Sequence, residues 1–341
     1  MKKLGLIDKF IFLINSVFAL CLLLSLIVPY IPPQKFPFLA LLSLVVSPLF
    51  LINVLFFLFW LLRVKRQLLL SLIVLIVCAV QFNSFYRFDF GEAPSLKEHQ
   101  LKVMNYNVRL FNIYAWINDE TIPKQVGQLI AESNPDVVSF QEYSGNENVN
   151  LDAYPHSFIH LVKQKPEFGQ AIYSKYPILN KGSLSFKDTS NNAIYIDILK
   201  NNDTIRIYNI HLESMQVHEN DVDFDQETSK RLMRRMAQSF QKQQSQAEAI
   251  LKHSETTNHK TIIMADLNNT AFSYVYRKIK GTKKDAFAER GKGLGSTFVF
   301  KKIPLRIDFI LTDRAFTIND FKTHSEGLSD HFAISSVLSW E

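Results

Sequence analysis

The chain has 341 residues, 47% of them hydrophobic, with 38 basic against 32 acidic side chains, which excludes disordered, collagen-like and disulfide-rich designs. Residues 1–91 hold eight of the basic residues (Lys2, Lys3, Lys9, Lys35, Arg63, Lys65, Arg66 and Arg87) against Asp8 and Asp89, leaving 30 of each sign beyond them. The positive excess therefore belongs to the apolar N-terminal part, and a globally basic nucleic-acid-binding domain is not indicated.

Residues 10–30 and 39–62 carry no charge, and at about 1.5 Å per residue each is long enough to cross a hydrocarbon layer of about 30 Å. A third apolar run, 68–80, continues through Gln81, Phe82, Asn83, Ser84, Phe85 and Tyr86, and it spans only if that stretch forms an interfacial belt. The expectation is a membrane anchor over 1–91 with about three transmembrane helices, 10–30, 39–62 and 68–86. The first run is too long for the apolar core of a signal peptide, and no small-residue cleavage site precedes the second. Lys2, Lys3 and Lys9 precede the first run, and Arg63, Lys65 and Arg66 fill a later turn, so the positive-inside bias places both in the cytoplasm. A third crossing then carries residues 92–341 to the periplasmic or extracellular side of the cytoplasmic membrane. A third run lying on the surface would leave them in the cytoplasm instead. Cys21 and Cys78 both sit in these apolar runs, so no disulfide, Cys zinc site or Cys nucleophile is expected.

From about Ser95 the pattern changes to short β-rich runs, and residues 92–341 suit one domain. Strands are predicted over 102–108, 137–140, 193–199, 205–212, 261–264, 307–312 and 332–338, mostly Val- and Ile-rich buried-type runs. Helices are predicted over 122–132, with Val126, Leu129 and Ile130 on one face, and over 228–252, with Leu232, Met236, Phe240 and Ala247. Strands mixed with long helices in one unit indicate a layered α/β domain.

Nearly every apolar strand ends in an acid, amide or imidazole: Asn107, Glu142, His211, Asp266 with Asn268, Asp308, and Asp330 with His331. Strand ends let a rigid scaffold aim such groups into one cleft, and an oxygen-rich set with few histidines suits Mg²⁺ or Mn²⁺ better than Zn²⁺. Singly, an Asp or Asn after a strand is usually a turn former. Asp308 opens an apolar run, where an unpaired carboxylate is costly to bury. His331 is the natural partner, since a carboxylate on one ring nitrogen fixes the tautomer and supports the imidazolium. His99, His156, His160, His218, His253, His259 and His324 are expected at the surface.

The ordered segments NYN (105–107), FQE (140–142), YNIHLES (208–214), ADLNN (265–269), STF (296–298), RIDFIL (306–311) and SDH (329–331) resemble those of the endonuclease/exonuclease/phosphatase superfamily. The resemblance covers about residues 100–341. It implies a four-layered α/β sandwich, two mixed β-sheets flanked by helices, here preceded by the transmembrane region, and divalent-metal-dependent hydrolysis of a phosphate ester. Carried over by motif, Glu142 is the principal metal ligand, with Asn107 and Asp330 completing the metal and phosphate environment. Asp266 orients or deprotonates the attacking water, Asn268 holds that water or a phosphate oxygen, and His331, positioned by Asp308, contacts the scissile phosphate. His211 donates to the phosphate or to the leaving oxygen. Two departures stand out. Arg109 occupies a position where some nucleases of the group carry an acid, which suggests a substrate-phosphate contact rather than a second metal. Ala265 stands where Gly is usual.

The substrate is less legible. Basic clusters at 230–235, 277–284 and 290–306 suit a nucleic-acid groove, anionic lipid headgroups or a solvated face. Tethering favours membrane-proximal phosphoesters by effective concentration, with a DNA or RNA hydrolase as the alternative. A catalytically idle binding module is disfavoured because Asp266 and His331 are both present, and a transporter because the apolar runs contain no charge. No protein partner is implied.

Overall fold

The computed structural model describes residues 4–79, 86–88, 94–145, 149–162, 166–215 and 226–341. The N-terminal part folds as helices α1 (Leu6–Ile27), α2 (Val46–Leu62) and α3 (Leu68–Cys78), joined by 3₁₀ turns at Val28–Tyr30 and Leu39–Leu44. The apolar stretch 39–62 is thus not one helix. Pro48 lies in the first turn of α2, where its ring would clash with the carbonyl four residues back if the helix continued through Leu44. α1 with its following turn, Leu6–Tyr30, is long and apolar enough to cross a membrane, whereas α2 and α3 are shorter. The stretch 81–86, expected to complete the third span, lies almost wholly outside the described residues.

The bundle buries polar side chains among the apolar residues Ala19, Leu22, Val46, Leu49 and Val74, and it exposes large apolar ones. Asn15, Asn53 and Ser71 are fully buried, while Leu62 is 84% exposed and Ile73 59%. Asn15 Nδ2 donates to Ser71 Oγ at 2.8 Å, Trp60 Nε1 donates to Asn15 Oδ1 at 3.0 Å, and Asn53 Nδ2 donates to Leu49 O at 2.9 Å. A helix bundle in water turns a polar face outward, not this apolar one. Arg63 pairs with Asp8 at 2.7 Å, which brings the N-terminus beside the basic turn between α2 and α3.

The other end of the bundle rests on the α/β domain. Gln34 N donates to Gln244 Oε1 at 3.0 Å, Ser43 Oγ donates to Asn269 Oδ1 at 3.0 Å, and Thr270 Oγ1 donates to Ser43 O at 2.7 Å. Phe272 packs among Leu22, Val46 and Leu49, and Arg277 stacks on the Tyr30 ring at 4.1 Å.

Within the domain, the described residues form two six-stranded mixed sheets. The first contains β1 (His99–Asn107), β2 (Val137–Tyr143), β3 (His156–Val162), β4 (Phe168–Ser174), β13 (Thr317–His324) and β14 (Ala333–Trp340), in the order β13-β14-β1-β2-β4-β3. The second contains β5 (Ile178–Ser183), β6 (Asn192–Lys200), β7 (Asp203–His211), β8 (Lys260–Asp266), β9 (Lys284–Asp285) and β12 (Asp308–Thr312), in the order β5-β6-β7-β8-β12-β9. Each sheet has one parallel pair, β1 with β2 and β7 with β8. A hairpin of β10 (Phe298–Phe300) and β11 (Ile303–Leu305) forms a separate two-stranded sheet, and Phe298 also bridges to His331. Helix α4 (Ile122–Ser133) covers the outer face of the first sheet, and α5 (Gln226–Ser254) with α6 (Tyr274–Lys280) covers the second; α7 (Ala286–Arg290) caps an edge.

The strand period of two sorts side chains by sheet face. Leu101 and Val103 of β1, Ile205 and Ile207 of β7, and Ile262 and Met264 of β8 meet between the sheets, while Met104, Tyr106, Tyr208 and Ile263 face the helices. Continuing each inward row by two residues reaches Asn105 and then Asn107 on β1, Asn209 and then His211 on β7, and Asp266 on β8. The space between the sheets therefore changes from hydrocarbon to amide to ionisable along one direction.

Candidate active site

A layer of amides is hydrogen-bonded across the sandwich. Gln141 Nε2 donates to Asn105 Oδ1 at 2.8 Å and to Asn209 Oδ1 at 2.7 Å, and Gln170 Nε2 donates to the same Asn209 oxygen at 2.9 Å. Asn209 Nδ2 donates to Phe140 O at 2.7 Å, and Asn105 Nδ2 reaches Ala265 O at 3.3 Å. These bonds tie β1, β2 and β4 to β7 and β8 beneath the ionisable groups, while the Gln141 and Gln170 Oε1 atoms are buried without a hydrogen-bond partner among the described residues. None of the four amides was singled out as functional by sequence. The available signal was their placement within the same segments, one or two residues before Asn107, Glu142 and His211, with Gln170 the exception.

Above this layer, register places His211 opposite Asp266 and Asp266 opposite Asp308. Asp266 is fully buried. Its Oδ2 accepts from Asn107 Nδ2 at 2.9 Å and its Oδ1 from Asn268 N at 2.8 Å, so both oxygens are held as acceptors. His211 Nε2 lies 3.7 Å and His331 Nε2 3.8 Å from Asp266 Oδ2.

Glu142 reaches the cleft through backbone irregularity. Gln141 points between the sheets, so a regular strand would send Glu142 to the helix-facing side. The β2–β4 register shifts between Phe140 and Tyr143, and Glu142 has φ +48°. A bulge of this kind re-aims a side chain, and Glu142 Oε1 comes to 3.3 Å from Asn107 Nδ2 and 3.9 Å from His211 Nε2. Its side chain is one-third exposed and presents its charge to the cleft.

His331 Nδ1 lies 2.9 Å from Asp308 Oδ2, the pairing expected from sequence, and both residues are buried. Thr297 Oγ1 accepts from Ile307 N and Asp308 N at 3.1 Å each, which fixes the start of β12. Burial pushes the Asp308 carboxyl up to about 6, with the His331 charge pulling back. At His331 burial opposes the charge, but the Asp308 and Asp266 carboxylates outweigh it and hold the imidazole well above 6.5. At neutral pH the pair is carboxylate and imidazolium, with Nε2 turned to the cleft. The folded state thus keeps a proton that an unfolded histidine releases, so the His331 contribution to stability is present below about pH 6.5 and lost as pH rises through the folded value. In metal-free protein, the thermal midpoint of the wild type relative to His331→Gln should decline as pH is raised well above 6.5. A constant difference would refute the shift.

The remaining candidates sit at the rim. Arg109 Nη1 pairs with Asp330 Oδ2 at 3.2 Å, both about one-third exposed, and the guanidinium lies 4.3 Å from the Trp116 ring centroid. Arg109, Leu110, Phe111 and Asn112 all have positive φ, a left-handed turn that costs L-residues energy. Asn112 bridges it to Ile117 at 2.8–2.9 Å in both directions, and Phe111 anchors it against Phe140 and Tyr143. Asn268 also has positive φ, and its Nδ2 donates to Leu212 O at 2.9 Å.

The basic stretches are largely committed elsewhere: Arg306 is buried against Asp285 at 2.9 Å, Lys283 pairs with Asp313, and Arg277 stacks on Tyr30. His324, expected at the surface, is buried, because β13 pairs with β14 and turns its ring to Ser335 Oγ at 2.9 Å. His253 is half-buried against Tyr208 at 2.8 Å, and His218 lies outside the described residues.

Ligand atoms of Asp266, Asp308 and His331 come within 4.8 Å of one another. Because His331 Nδ1 and Asp308 Oδ2 are spent on each other, the position between Glu142, Asp266 and Asn107 fits a hard cation better. The Glu142 and Asp266 carboxylates offer oxygens there and Glu142 has few partners, while Asn107 turns Nδ2 to both and its Oδ1 accepts from Arg109 N. His211 Nε2 and Asp308 Oδ1 are buried without a hydrogen-bond partner, as expected of a cleft built around a polar occupant.

A sequence profile of the endonuclease/exonuclease/phosphatase family matches residues 104–331, more than half of the chain. The chain belongs to this family. Its members are generally metal-dependent phosphoesterases and nucleases. The fold agrees with solved members: the family protein from Bacteroides vulgatus is 19% identical, with 72% of this chain and 100% of that one covered at a TM-score of 0.54. The family protein from Beutenbergia cavernae is 13% identical, covering 71% and 72% at 0.53. Truncated Caenorhabditis elegans TDP2 is 15% identical, covering 72% and 100% at 0.54. Residues 8–85 match a second profile, described as a domain of unknown function. No curated protein matches.

Proposed function

We propose that this family member is a membrane-anchored, divalent-metal-dependent phosphodiesterase whose catalytic domain lies on the non-cytoplasmic side of the membrane. The observation that carries the hydrolytic reading is the convergence of Asn107, Glu142, His211, Asp266 and the Asp308–His331 pair on one cleft between the sheets. Glu142, with Asn107 and Asp266 beside it, would hold Mg²⁺ or Mn²⁺, which when bound neutralises charge on a phosphoryl oxygen.

The chain's own groups divide the rest. Asp266, held in place by its two donors, orients water and accepts its proton. Asn268, whose backbone N–H fixes Asp266, stands beside that water. The His331 imidazolium donates from Nε2 to a phosphate oxygen while Asp308 holds its ring. His211 Nε2, which makes no hydrogen bond within the protein, donates toward the departing ester oxygen. Arg109 is close enough to the cleft to exchange Asp330 for a substrate phosphate, since a pair this exposed contributes little by itself. Asp330, released from Arg109, would then help hold the cation or the phosphate.

The test is turnover of bis(p-nitrophenyl) phosphate by the full chain in detergent. Activity should require Mg²⁺ or Mn²⁺, vanish on chelation and return on resupply; turnover indifferent to chelator would overturn the metal-dependent reading. The membrane side rests on the apolar outer face of the bundle and on the Asp8–Arg63 contact, which groups the start of α1 with the basic turn at the end opposite the domain. A membrane-impermeant label on a tag after Glu341 should react in cells with an intact cytoplasmic membrane. Labelling only after lysis would reverse the orientation.

A further inference from the structure

We infer that the cavity between α2 and the β10–β11 hairpin is a slot for a hydrocarbon chain of an anionic bilayer phospholipid, so that the phosphoester offered to the active site is a lipid one. The inference rests on the hydrolase reading above and names its substrate class.

The cavity has a volume of about 540 Å³, within the range of ligand sites. Pro48, Leu51 and Val54 of α2 form one wall, and Phe272, Ile303 and Pro304 of the domain form the other. Charge enters only at the domain end. Arg306 there is neutralised by Asp285, whereas Lys302 is exposed and makes no ion pair among the described residues. On the helix side, Leu51 is 57% exposed and continues into exposed Leu55 and Leu58. The slot therefore opens onto the face of the bundle that lipid would cover. An apolar cavity of this size is poorly served by water, and a nucleic-acid strand has no apolar part to fill it.

Its walls also belong to the catalytic segments. Phe272 lies on the loop that follows Asp266 and Asn268, and Leu305 and Arg306 lead into Asp308. The Phe298 ring, on the hairpin's other strand, is 5.0 Å from the His331 ring. The hairpin turns through Lys301 and Lys302, both with positive φ (45° and 71°), where Asn or Gly is the unstrained choice. Two cations held at that conformational cost stand where a phosphate headgroup would lie if its tail entered the slot.

The full chain in nanodiscs of phosphatidylglycerol with a diazirine in the acyl chain tests this. Cross-links should map to residues 47–54 and 302–306, and the lipid's phosphodiester should be hydrolysed. Val54→Trp fills the slot from the helix and Ile303→Trp from the hairpin. Each should lower both the slot cross-link and phosphatidylglycerol turnover about tenfold while leaving bis(p-nitrophenyl) phosphate turnover unchanged. Using both variants separates slot filling from a folding defect private to one of them. Cross-links confined to the outer face at Leu55 and Leu58, or wild-type turnover of the soluble diester without the lipid, would overturn the slot and spare the hydrolase. Absence of turnover on both substrates would overturn the hydrolase reading and the substrate class with it.

Discussion

Asp266→Ala lowers kcat on a phosphodiester about 10³- to 10⁴-fold, the largest loss expected from a single side chain in this cleft. Asp266 is the group on which the two sheets converge: Asn107 binds it from the first, Asn268 N from its own loop, and both histidine Nε2 atoms face the same oxygen. Its removal takes away the acceptor for the water proton and leaves Asn107 Nδ2 with Glu142 alone. The fold should survive, because a fully buried carboxylate near Asp308 and Glu142 adds like-charge repulsion that the substitution relieves. Steady-state turnover with saturating Mg²⁺, alongside a thermal melt, checks both parts. Near-normal kcat in a folded variant would remove Asp266 from the mechanism.

The second large effect is joint. His331→Ala and Asp308→Asn each lower kcat about 10²- to 10³-fold, and the double variant is hardly worse than His331→Ala alone, because residues that act as one unit do not contribute additively. Asp308 touches no substrate; its role is to hold Nδ1 so that the imidazolium turns Nε2 to the cleft. The asparagine keeps the shape but removes the charge that holds the ring protonated, so the Asp308→Asn activity profile should lose its alkaline limb at lower pH than the wild type. Additive losses, or an unmoved limb, would reduce Asp308 to packing.

The parts of the fold that could be read in the sequence are those where both faces of a strand are buried. The runs at 102–108, 205–212 and 261–264 are apolar enough to stand out and correspond to β1, β7 and β8. β3, β5 and β13 are edge strands whose polar, half-exposed sequences hide them, and β4 is obscured because Gly169 and Gln170 interrupt its apolar run. The Asp308–His331 contact was legible because a carboxylate opening an apolar strand demands a partner. The inward turn of Glu142 was not, since it depends on a bulge, and neither was the Arg109–Asp330 pair, whose members are distant in the chain and meet only through the left-handed turn. Nor does any apolar run announce that the segment between α1 and α2 would settle on the loop after Asp266.

That last contact sets a mechanical relation between lipid and chemistry. Ser43 stands just ahead of α2 and holds both Asn269 and Thr270. A helix anchored in a bilayer adjusts its tilt to the thickness of the hydrocarbon layer. On the proposed anchoring, with Ser43 as the coupling, a change in that tilt would pull on the loop that follows Asp266, and membrane thickness would become a variable in the rate.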